Sequence, residues 1–441
     1  MASEPHGGKG ATRPVRFGVP ETPPLAVSPR SPYASLQIPN FRRYIVGLLA
    51  FTVAVQIQGT VVGWQIYDLT RDKLALGLIG LAEALPFIGA ALYAGHVADR
   101  HDRRRVALWA LAVLLACSIA LLVLPLVLPG SPRLVVRTIY VVIAISGLAR
   151  SFLVPARQAL GAELVPHALY NNAITWRSGT WQLAAVVGPA VGGLLFAAGG
   201  TSLAYAVDAG MMVVGFVAIW MLRHQTRIRR EHSEAVSQSL GTGLRFVWRE
   251  PVILGALSLD MFSVLFGGAV ALLPVFAADI LHVGAQGLGL LRAAPAVGAV
   301  ITTVVLAHLP PFQRTGRTLL RAVALFGVCM ITFGFSTSFV LSVAVLALSG
   351  AADMVSVFIR STLIQTMTPV HMMGRVSAVN SIFIGSSNEI GMFESGVTAQ
   401  AFGTVPSVVL GGVATLVVVL MTAWRIPRLR GLGRMDPRAE N

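Results

Sequence analysis

The stretch YIVGLLAFTVAVQIQGTVVGWQI, residues 44–66, decides the fold class of this chain because it contains no charged residue. About 20 apolar residues in a helix cross the ~30 Å hydrocarbon layer of a membrane. The run does not alternate between apolar and polar positions, which favours a helix over a strand of a membrane barrel. Residues 44–66 therefore predict a membrane-spanning helix.

The same pattern recurs along the 441 residues, of which 55% are hydrophobic and only 12% charged. This composition excludes an ordinary soluble protein and a disordered chain. Cys117 and Cys329 lie inside apolar runs, so a secreted disulfide framework is excluded as well. We predict an all-α membrane protein with twelve spans, at 44–66, 74–95, 106–128, 134–159, 173–198, 202–222, 252–277, 285–309, 318–336, 339–363, 376–402 and 405–424.

Polar segments divide these spans into two sets of six. Residues 1–40 are rich in proline, glycine and serine, which predicts a disordered tail rather than a signal peptide. The only long internal polar segment is 223–250. The predicted organisation is a tail 1–40, a six-helix bundle 41–222, a central loop 223–250, a second bundle 251–424 and a tail 425–441.

The net charge of +15 is distributed unevenly over the loops. If the N-terminus is cytoplasmic, only Arg71, Lys73 and Arg133 fall in loops on the outside, and the other basic loop residues lie inside. This asymmetry predicts that both termini are cytoplasmic. It also accounts for most of the positive charge, and no base-reading module accompanies it, so no nucleic-acid partner is expected.

A weak internal repeat agrees with the division into two sets. Residues 83–90 match 292–299 at an offset of 209, and 157–166 match 360–369 at an offset of 203. At the second offset Gly188 and Gly193 fall on Gly391 and Gly396. Two pseudo-symmetric six-helix bundles with a site between them at mid-membrane are a transporter architecture.

The loop after the second span, GHVADRHDRR at 95–104, resembles the signature loop of the major facilitator superfamily. Five residues match the motif: Gly95, Asp99, Arg100, Arg103 and Arg104. Asp102 stands where glycine is usual. The resemblance implies a latch for the cytoplasmic gate, and the alternative is a simple positive-inside anchor.

Further motifs in both halves narrow the resemblance. Gly188, Pro189, Gly192 and Gly193 resemble the G-P-x-x-G-G motif of superfamily exporters. Asp260, 272–277, 289–295, 353–357, 374–380 and 388–396 resemble the enterobactin-exporter-like efflux family, a likeness that covers about 38–426. Met373 departs from it, because this family tends to carry arginine there.

Charged residues at membrane depth are costly and usually face the bundle interior or a wet cavity. A proton antiporter needs a carboxyl group that can titrate, and burial makes this possible near neutral pH. The candidates are Asp260 and Glu389 first, then Asp353 and Glu83. Arg150 overlies Asp353 at the offset of 203, so we predict that both face a central cavity.

Other residues could line the same cavity. The substrate-cavity candidates are Arg150, Arg177, Arg292, Arg360, Gln56, Trp64, Asn380 and Asn388. For the charged residues the alternative is a structural ion pair that holds helices together. For the polar and aromatic residues the alternative is helix packing.

No motif for a bound nucleotide, and no histidine or cysteine cluster for a metal, occurs in the sequence, so we expect neither an enzyme nor a cofactor. The resemblance to the efflux family implies a monomeric secondary transporter of the bacterial inner membrane, in contact with lipid, that exports a siderophore-like or drug-like small molecule by alternating access with proton antiport. The alternative is an exporter or flippase of hydrophobic drugs or lysophospholipids.

Overall fold

The computed structural model describes residues 31–128, 130–223, 236–267, 269–310, 312–369 and 372–433. Within these ranges the long helices are α1 Pro39–Thr70, α2 Lys73–Arg100, α3 Arg103–Val127, α4 Pro132–Glu163, α5 Tyr170–Trp220, α6 Val236–Arg249, α7 Pro251–Gly267, α8 Gly284–His308, α9 Thr315–Phe335, α10 Phe339–Met367, α11 Met373–Phe402 and α12 Thr404–Arg425. A short helix, α13 Pro427–Gly431, follows.

The helices give the twelve predicted membrane crossings. Among the described residues, ten helical stretches are long and apolar enough to cross a membrane. One of them contains α5, whose helical geometry breaks at Gly199 and Gly200, so it makes two crossings. Gly200 has φ +64°, a conformation that side chains with a Cβ rarely adopt. The remaining crossing is α11, which is less apolar because it carries Arg375, Glu389 and Glu394.

The chain reverses direction at each crossing, so the loops alternate between two faces. We call the face that holds the start of α1 and the loop between α2 and α3 the basic face, because it collects Arg100, Arg103, Arg104 and Arg105. The other is the opposite face. α1–α5 form the N half and α7–α12 form the C half, which gives the two predicted six-helix bundles.

Two parts of the chain differ from the sequence prediction. The tail was expected to reach residue 40, but residues 31–38 lie against α5: the Ser35 backbone N–H donates to Asn172 Oδ1 at 3.1 Å, and Trp176 Nε1 donates to the Pro32 carbonyl at 3.0 Å. The first 30 residues lie outside the described part. The segment 223–250 contains α6, where Val247 is fully buried and Gly243 abuts the backbone of Arg375 on α11.

The two halves meet along two pairs of helices, α2 with α11 and α5 with α8. Glycines permit the close approach: a Cβ on Gly77 would lie 2.9 Å from the Gly396 Cα, and one on Gly193 would lie 3.0 Å from the Gly289 Cα. Gly77 and Gly396 lie near the helix ends at the opposite face, as does Gly193. The halves are therefore held together most tightly toward that face.

Candidate functional site

The site begins with an arginine on α4. Gly147 lets α4 approach α2 so closely that a Cβ there would lie 3.2 Å from the Glu83 Cα. Three residues further along α4, Arg150 forms an ion pair with the Glu83 carboxylate through its Nη1 atom. Both side chains keep some exposure, 33% for Arg150 and 20% for Glu83. This pair links α2 and α4 within the N half.

A second carboxylate, Glu389 of the C half, interacts electrostatically with the same arginine. A Cβ on Gly80 would lie 2.7 Å from the Glu389 carbonyl oxygen, so α2 and α11 are in close contact at this level. The charges of Glu389 and Arg150 attract each other, and Glu389 Oε2 is buried without a hydrogen-bond partner in the described part of the chain. We call Glu83, Arg150 and Glu389 the central triad. One guanidinium is thus ion-paired with a carboxylate of its own half and attracted electrostatically by a carboxylate of the other half.

Two more arginines extend the positive charge of the N half toward the basic face. The Arg157 guanidinium lies over the Phe51 ring, 5.7 Å from its centroid, and the Tyr44 hydroxyl donates to the Arg157 carbonyl at 3.1 Å. Arg177 lies near both Tyr44 and Arg157. Neither Arg157 nor Arg177 has an ion-pair partner among the described residues. Tyr44 belongs to this group, although nothing in the sequence distinguished it from an interfacial tyrosine.

Asp353 on α10 is partly exposed and has no hydrogen-bond or ion-pair partner among the described residues. Its partial exposure is compatible with the predicted cavity position. Arg292 on α8 is engaged instead: its Nη1 donates to the Gly59 carbonyl of α1 at 2.9 Å. This bond joins the two halves at mid-membrane, and the missing side chains at Gly59 and Gly63 leave room for the guanidinium.

Asp260 and Arg360 form a closed pair inside the C half. Arg360 Nη1 binds Asp260 Oδ1, and the side chains are only 4% and 7% exposed. The pair connects α7 to α10. In this conformation the geometry matches the alternative of a structural ion pair, so Asp260 is less accessible to a proton or a cargo than Glu389 or Asp353.

The polar and aromatic candidates differ in what they contact. The Gln56 side chain packs over Gly188, and the Trp64 ring meets Phe196 edge-on, with centroids 6.2 Å apart. Asn388 is exposed, and its Nδ2 donates back to the Ile384 carbonyl of its own helix at 2.8 Å. Asn380 Oδ1 is buried and has no partner within the described ranges. Asn380 thus has the clearest unused hydrogen-bonding capacity of the four.

The loop motif binds the ends of neighbouring helices. Arg103 pairs with Glu163 at the end of α4. Arg104 donates to the Ile219 carbonyl at 3.3 Å and also to the Trp220 carbonyl at the end of α5. Asp102 caps α3 by accepting from the N–H groups of Arg104 at 2.9 Å and Arg105 at 3.2 Å. The residue that departs from the usual glycine thus has a local structural role. The side chain of Asp99 lies outside the described part.

The glycines of the exporter motif face two partners. A Cβ on Gly192 would lie 3.1 Å from the Ile57 Cα of α1, and Gly188 also lies against α1. Gly193 instead abuts Ala285 and Gly289 of α8 in the C half. The repeat-related pair behaves in the same way, since Gly391 abuts α7 and Gly396 abuts Gly77 of α2. Both α5 and α11 therefore pack against their own half at the first of these glycines and against the other half at the last one.

An ion cluster at the opposite face was not predicted. Arg71 Nη1 lies 3.4 Å from Asp279 Oδ1 and its Nη2 lies 3.1 Å from Asp68 Oδ1, while the Tyr67 hydroxyl donates to Asp279 Oδ2. Asp279 sits in the π-helical turn Phe276–Ile280 of the C half, and the other three residues belong to the N half. The one signal of this cluster in the sequence is the short charged loop between the first two spans.

The described residues contain no group of three or more histidine, cysteine, aspartate or glutamate side chains that could hold a metal ion. The charged groups at membrane depth include the central triad, the Asp260–Arg360 pair, and Arg157, Arg177 and Asp353, which have no ion-pair partner in the described ranges. Such an arrangement can bind protons or ionic solutes.

Comparison with known families gives a match over nearly the whole chain. A family profile described as "Transmembrane secretion effector" matches residues 30–439. The chain is 27% identical over 403 residues to the enterobactin exporter EntS of Shigella flexneri, covering 90% of this chain and 94% of that protein. It is 28% identical over 405 residues, with the same coverage, to the enterobactin exporter EntS of Escherichia coli O1:K1 / APEC.

Solved transporters share the fold at low sequence identity. A bacterial homologue of the human lysosomal transporter Spinster, in an inward-facing and unoccupied conformation, superposes with a TM-score of 0.67 at 14% identity, covering 90% of this chain and 99% of that one. A D-xylose–proton symporter gives a TM-score of 0.69 at 14% identity, with coverage of 90% and 99%. The predicted fold is confirmed, and it is the fold of a multi-pass membrane transporter rather than of an enzyme.

Proposed function

Because the chain belongs to the transmembrane secretion effector family of major facilitator transporters, we propose that it exports a small, siderophore-like or drug-like molecule in exchange for protons. In this proposal the basic face is cytoplasmic, since loops rich in arginine are retained on that side of a bacterial inner membrane. The described conformation, joined most tightly toward the opposite face, is then an inward-facing one.

The observation that carries the proposal is the central triad. Glu389 comes from the C half, whereas Arg150 and Glu83 come from the N half. If the halves separate along α2 and α11, Glu389 moves away from Arg150 while the pair of Arg150 with Glu83 can persist. The triad is therefore an element whose charge balance depends on the conformation.

Proton exchange follows from that dependence. An unpaired charge at membrane depth costs at least ~2.5 kcal/mol, so a carboxyl group that loses its guanidinium partner favours the protonated form. Glu389 takes a proton when the site opens to the opposite face, and it releases the proton toward the basic face when Arg150 returns. One proton moves inward in each cycle while a cargo moves outward.

The cargo class follows from the unpaired arginines. Arg157 and Arg177 bring two positive charges to the N half, and no carboxylate among the described residues forms an ion pair with either one. An anionic or catechol-bearing molecule would complement them. The relatives named enterobactin exporters agree with a siderophore-like cargo, and a drug-like cargo with an acidic group would fit the same charges.

The test is transport into everted vesicles or proteoliposomes with an imposed pH gradient, using a catecholate siderophore and a set of drugs as probes. We expect Glu389→Gln to abolish gradient-driven flux and to retain exchange of labelled for unlabelled cargo. Glu394→Gln is the matched control, because it makes the same change five residues further along α11.

Three outcomes would count against the proposal. Full gradient-driven flux in Glu389→Gln would remove the triad from proton coupling. Flux that is independent of pH in the unmodified protein would remove antiport altogether. Transport of lysophospholipid but of no siderophore or drug would favour the alternative cargo.

A further inference from the structure

A groove separate from the central site opens on the outer surface of the N half, at the basic face. Its volume is about 670 Å³, and it lies between the end of α2, the first half of α3 and the second half of α4. One end is lined by charged groups, Arg100, His101, Asp102 and Arg105, and the rest mostly by apolar side chains. The groove therefore has a polar end and an apolar length.

The apolar length follows α3 away from the basic face. Arg105, Trp109 and Val113 are four residues apart, so they lie along one side of α3 over about 12 Å. Leu148 and Phe152 of α4 form the facing wall. Trp109 is 75% exposed, and a tryptophan near the end of a spanning helix is typical of the membrane interface.

The charged end has two arginines available. Arg103 and Arg104 of the same loop are used in contacts to α4 and α5, as described above. Arg100 is exposed and has no ion-pair partner among the side chains that the structure describes. Arg105 is 81% exposed, and its Nε lies 3.9 Å from Asp102, whose carboxylate is already engaged with the backbone of α3. The positive charge at this end is thus poorly neutralised.

The groove does not belong to the cargo site. Leu148 and Phe152 are each two residues from Arg150 on α4, which places them about 200° around the helix from it. The central triad and the groove consequently occupy opposite sides of α4.

We propose that this groove binds one anionic phospholipid of the leaflet at the basic face. Its phosphate lies between Arg100 and Arg105, and one acyl chain lies along Trp109, Val113 and Leu148. Basic pockets between membrane helices suit anionic lipid headgroups, and the apolar length suits an acyl chain but has no use for a free phosphate ion. The occupant is a resident lipid rather than the cargo.

The test uses proteoliposomes in which phosphatidylglycerol or phosphatidylcholine carries brominated acyl chains that quench tryptophan fluorescence. The difference between the unmodified protein and Trp109→Phe isolates the Trp109 signal. We expect stronger quenching of Trp109 by brominated phosphatidylglycerol than by brominated phosphatidylcholine at equal content. Each basic side chain near the surface contributes about fivefold in lipid affinity, so Arg100→Gln/Arg105→Gln should weaken this preference about 25-fold.

Controls separate the groove from general surface charge. Arg428→Gln/Arg430→Gln removes two exposed arginines at the same face outside the groove and should leave the preference intact. Val113→Phe should fill the apolar length and abolish the preference, and it adds no further tryptophan to the fluorescence signal. Counting bound lipids by native mass spectrometry gives an independent readout, in which the unmodified protein should retain one phosphatidylglycerol that Arg100→Gln/Arg105→Gln loses.

Specific results would overturn the proposal. Equal quenching by the two lipids, or a preference unchanged in Arg100→Gln/Arg105→Gln, would exclude an anionic lipid. Displacement by excess inorganic phosphate would indicate a phosphate site. Movement of the labelled lipid across the bilayer, dependent on Arg100 and Arg105, would make the lipid a cargo. None of these results depends on whether siderophores, drugs or protons are transported.

Discussion

Two adjacent glycines on α5 offer a sharp test of how the halves are held. Gly193 abuts α8 of the C half, and Gly192 abuts α1 of its own half. A Cβ on Gly193 would lie 3.0 Å from the Gly289 Cα, about 0.4 Å or more inside an ordinary contact, and closer still to the Ala285 carbonyl. Such overpacking costs about 1–3 kcal/mol. Because Gly193 touches the other half, Gly193→Ala should destabilise the described conformation selectively.

A penalty of that size shifts a two-state equilibrium by roughly 5- to 150-fold. Spin labels at Asn171 and Arg314, on opposite halves at the basic face, would measure the distance between the halves by pulsed electron paramagnetic resonance. We expect Gly193→Ala to increase the population with the shorter distance. Gly192→Ala meets Ile57 within one half, so it should lower stability and leave the distance distribution unchanged. The reasoning fails if both variants shift the distribution equally or if neither does.

Three further predictions concern the ion pairs and the loop motif. Arg71→Gln should weaken closure at the opposite face by only about 0.2–1 kcal/mol, because the cluster is exposed, and the same spin labels should show a smaller shift than in Gly193→Ala. Asp260→Asn should lower the free energy of unfolding in detergent by about 3–5 kcal/mol, because it leaves Arg360 buried without a carboxylate. Asp260→Asn/Arg360→Met should recover most of the loss. Equal stability of Asp260→Asn and the unmodified protein would contradict the buried pair. Asp102→Ala should lower the free energy of unfolding by about 0.5–2 kcal/mol through loss of the α3 cap, whereas Asp102→Gly should lower it by only a few tenths of a kcal/mol. If thermal unfolding shows Asp102→Gly to be less stable than Asp102→Ala, the capping role is wrong.

The sequence predicted the helices well because membrane spans depend on local composition. The sequence predicted all twelve crossings from apolar runs, and it placed one at 376–402 although Glu389 and Glu394 lie within it. Interruptions of regular α-helix within a predicted span were harder to predict. The predicted span 252–277 ends as a regular α-helix at Gly267 and continues through short helical segments and a π turn, a change for which the apolar run carries no signal.

The ion pairs could not be read from the sequence. The repeat placed Arg150 over Asp353, yet Arg150 pairs with Glu83 of its own half and is attracted electrostatically by Glu389 of the other half. This choice depends on how closely α2 approaches α4 and α11, which Gly147 and Gly80 allow. The sequence shows where a glycine lies in a membrane helix, but it does not show which neighbouring helix packs against that glycine.

The helix α6 links the two halves in sequence and packs mainly on the C half, with only a small contact to α2 of the N half. Its buried side, at Gly243 and Val247, rests on the start of α11 and on neighbouring C-half residues, while Trp248 is 65% exposed. Any rotation of the C half must carry α6 with it across the basic face. The fluorescence of Trp248 would therefore report the movement of α6. A soluble protein or a lipid surface that binds α6 would slow transport without entering the cargo site.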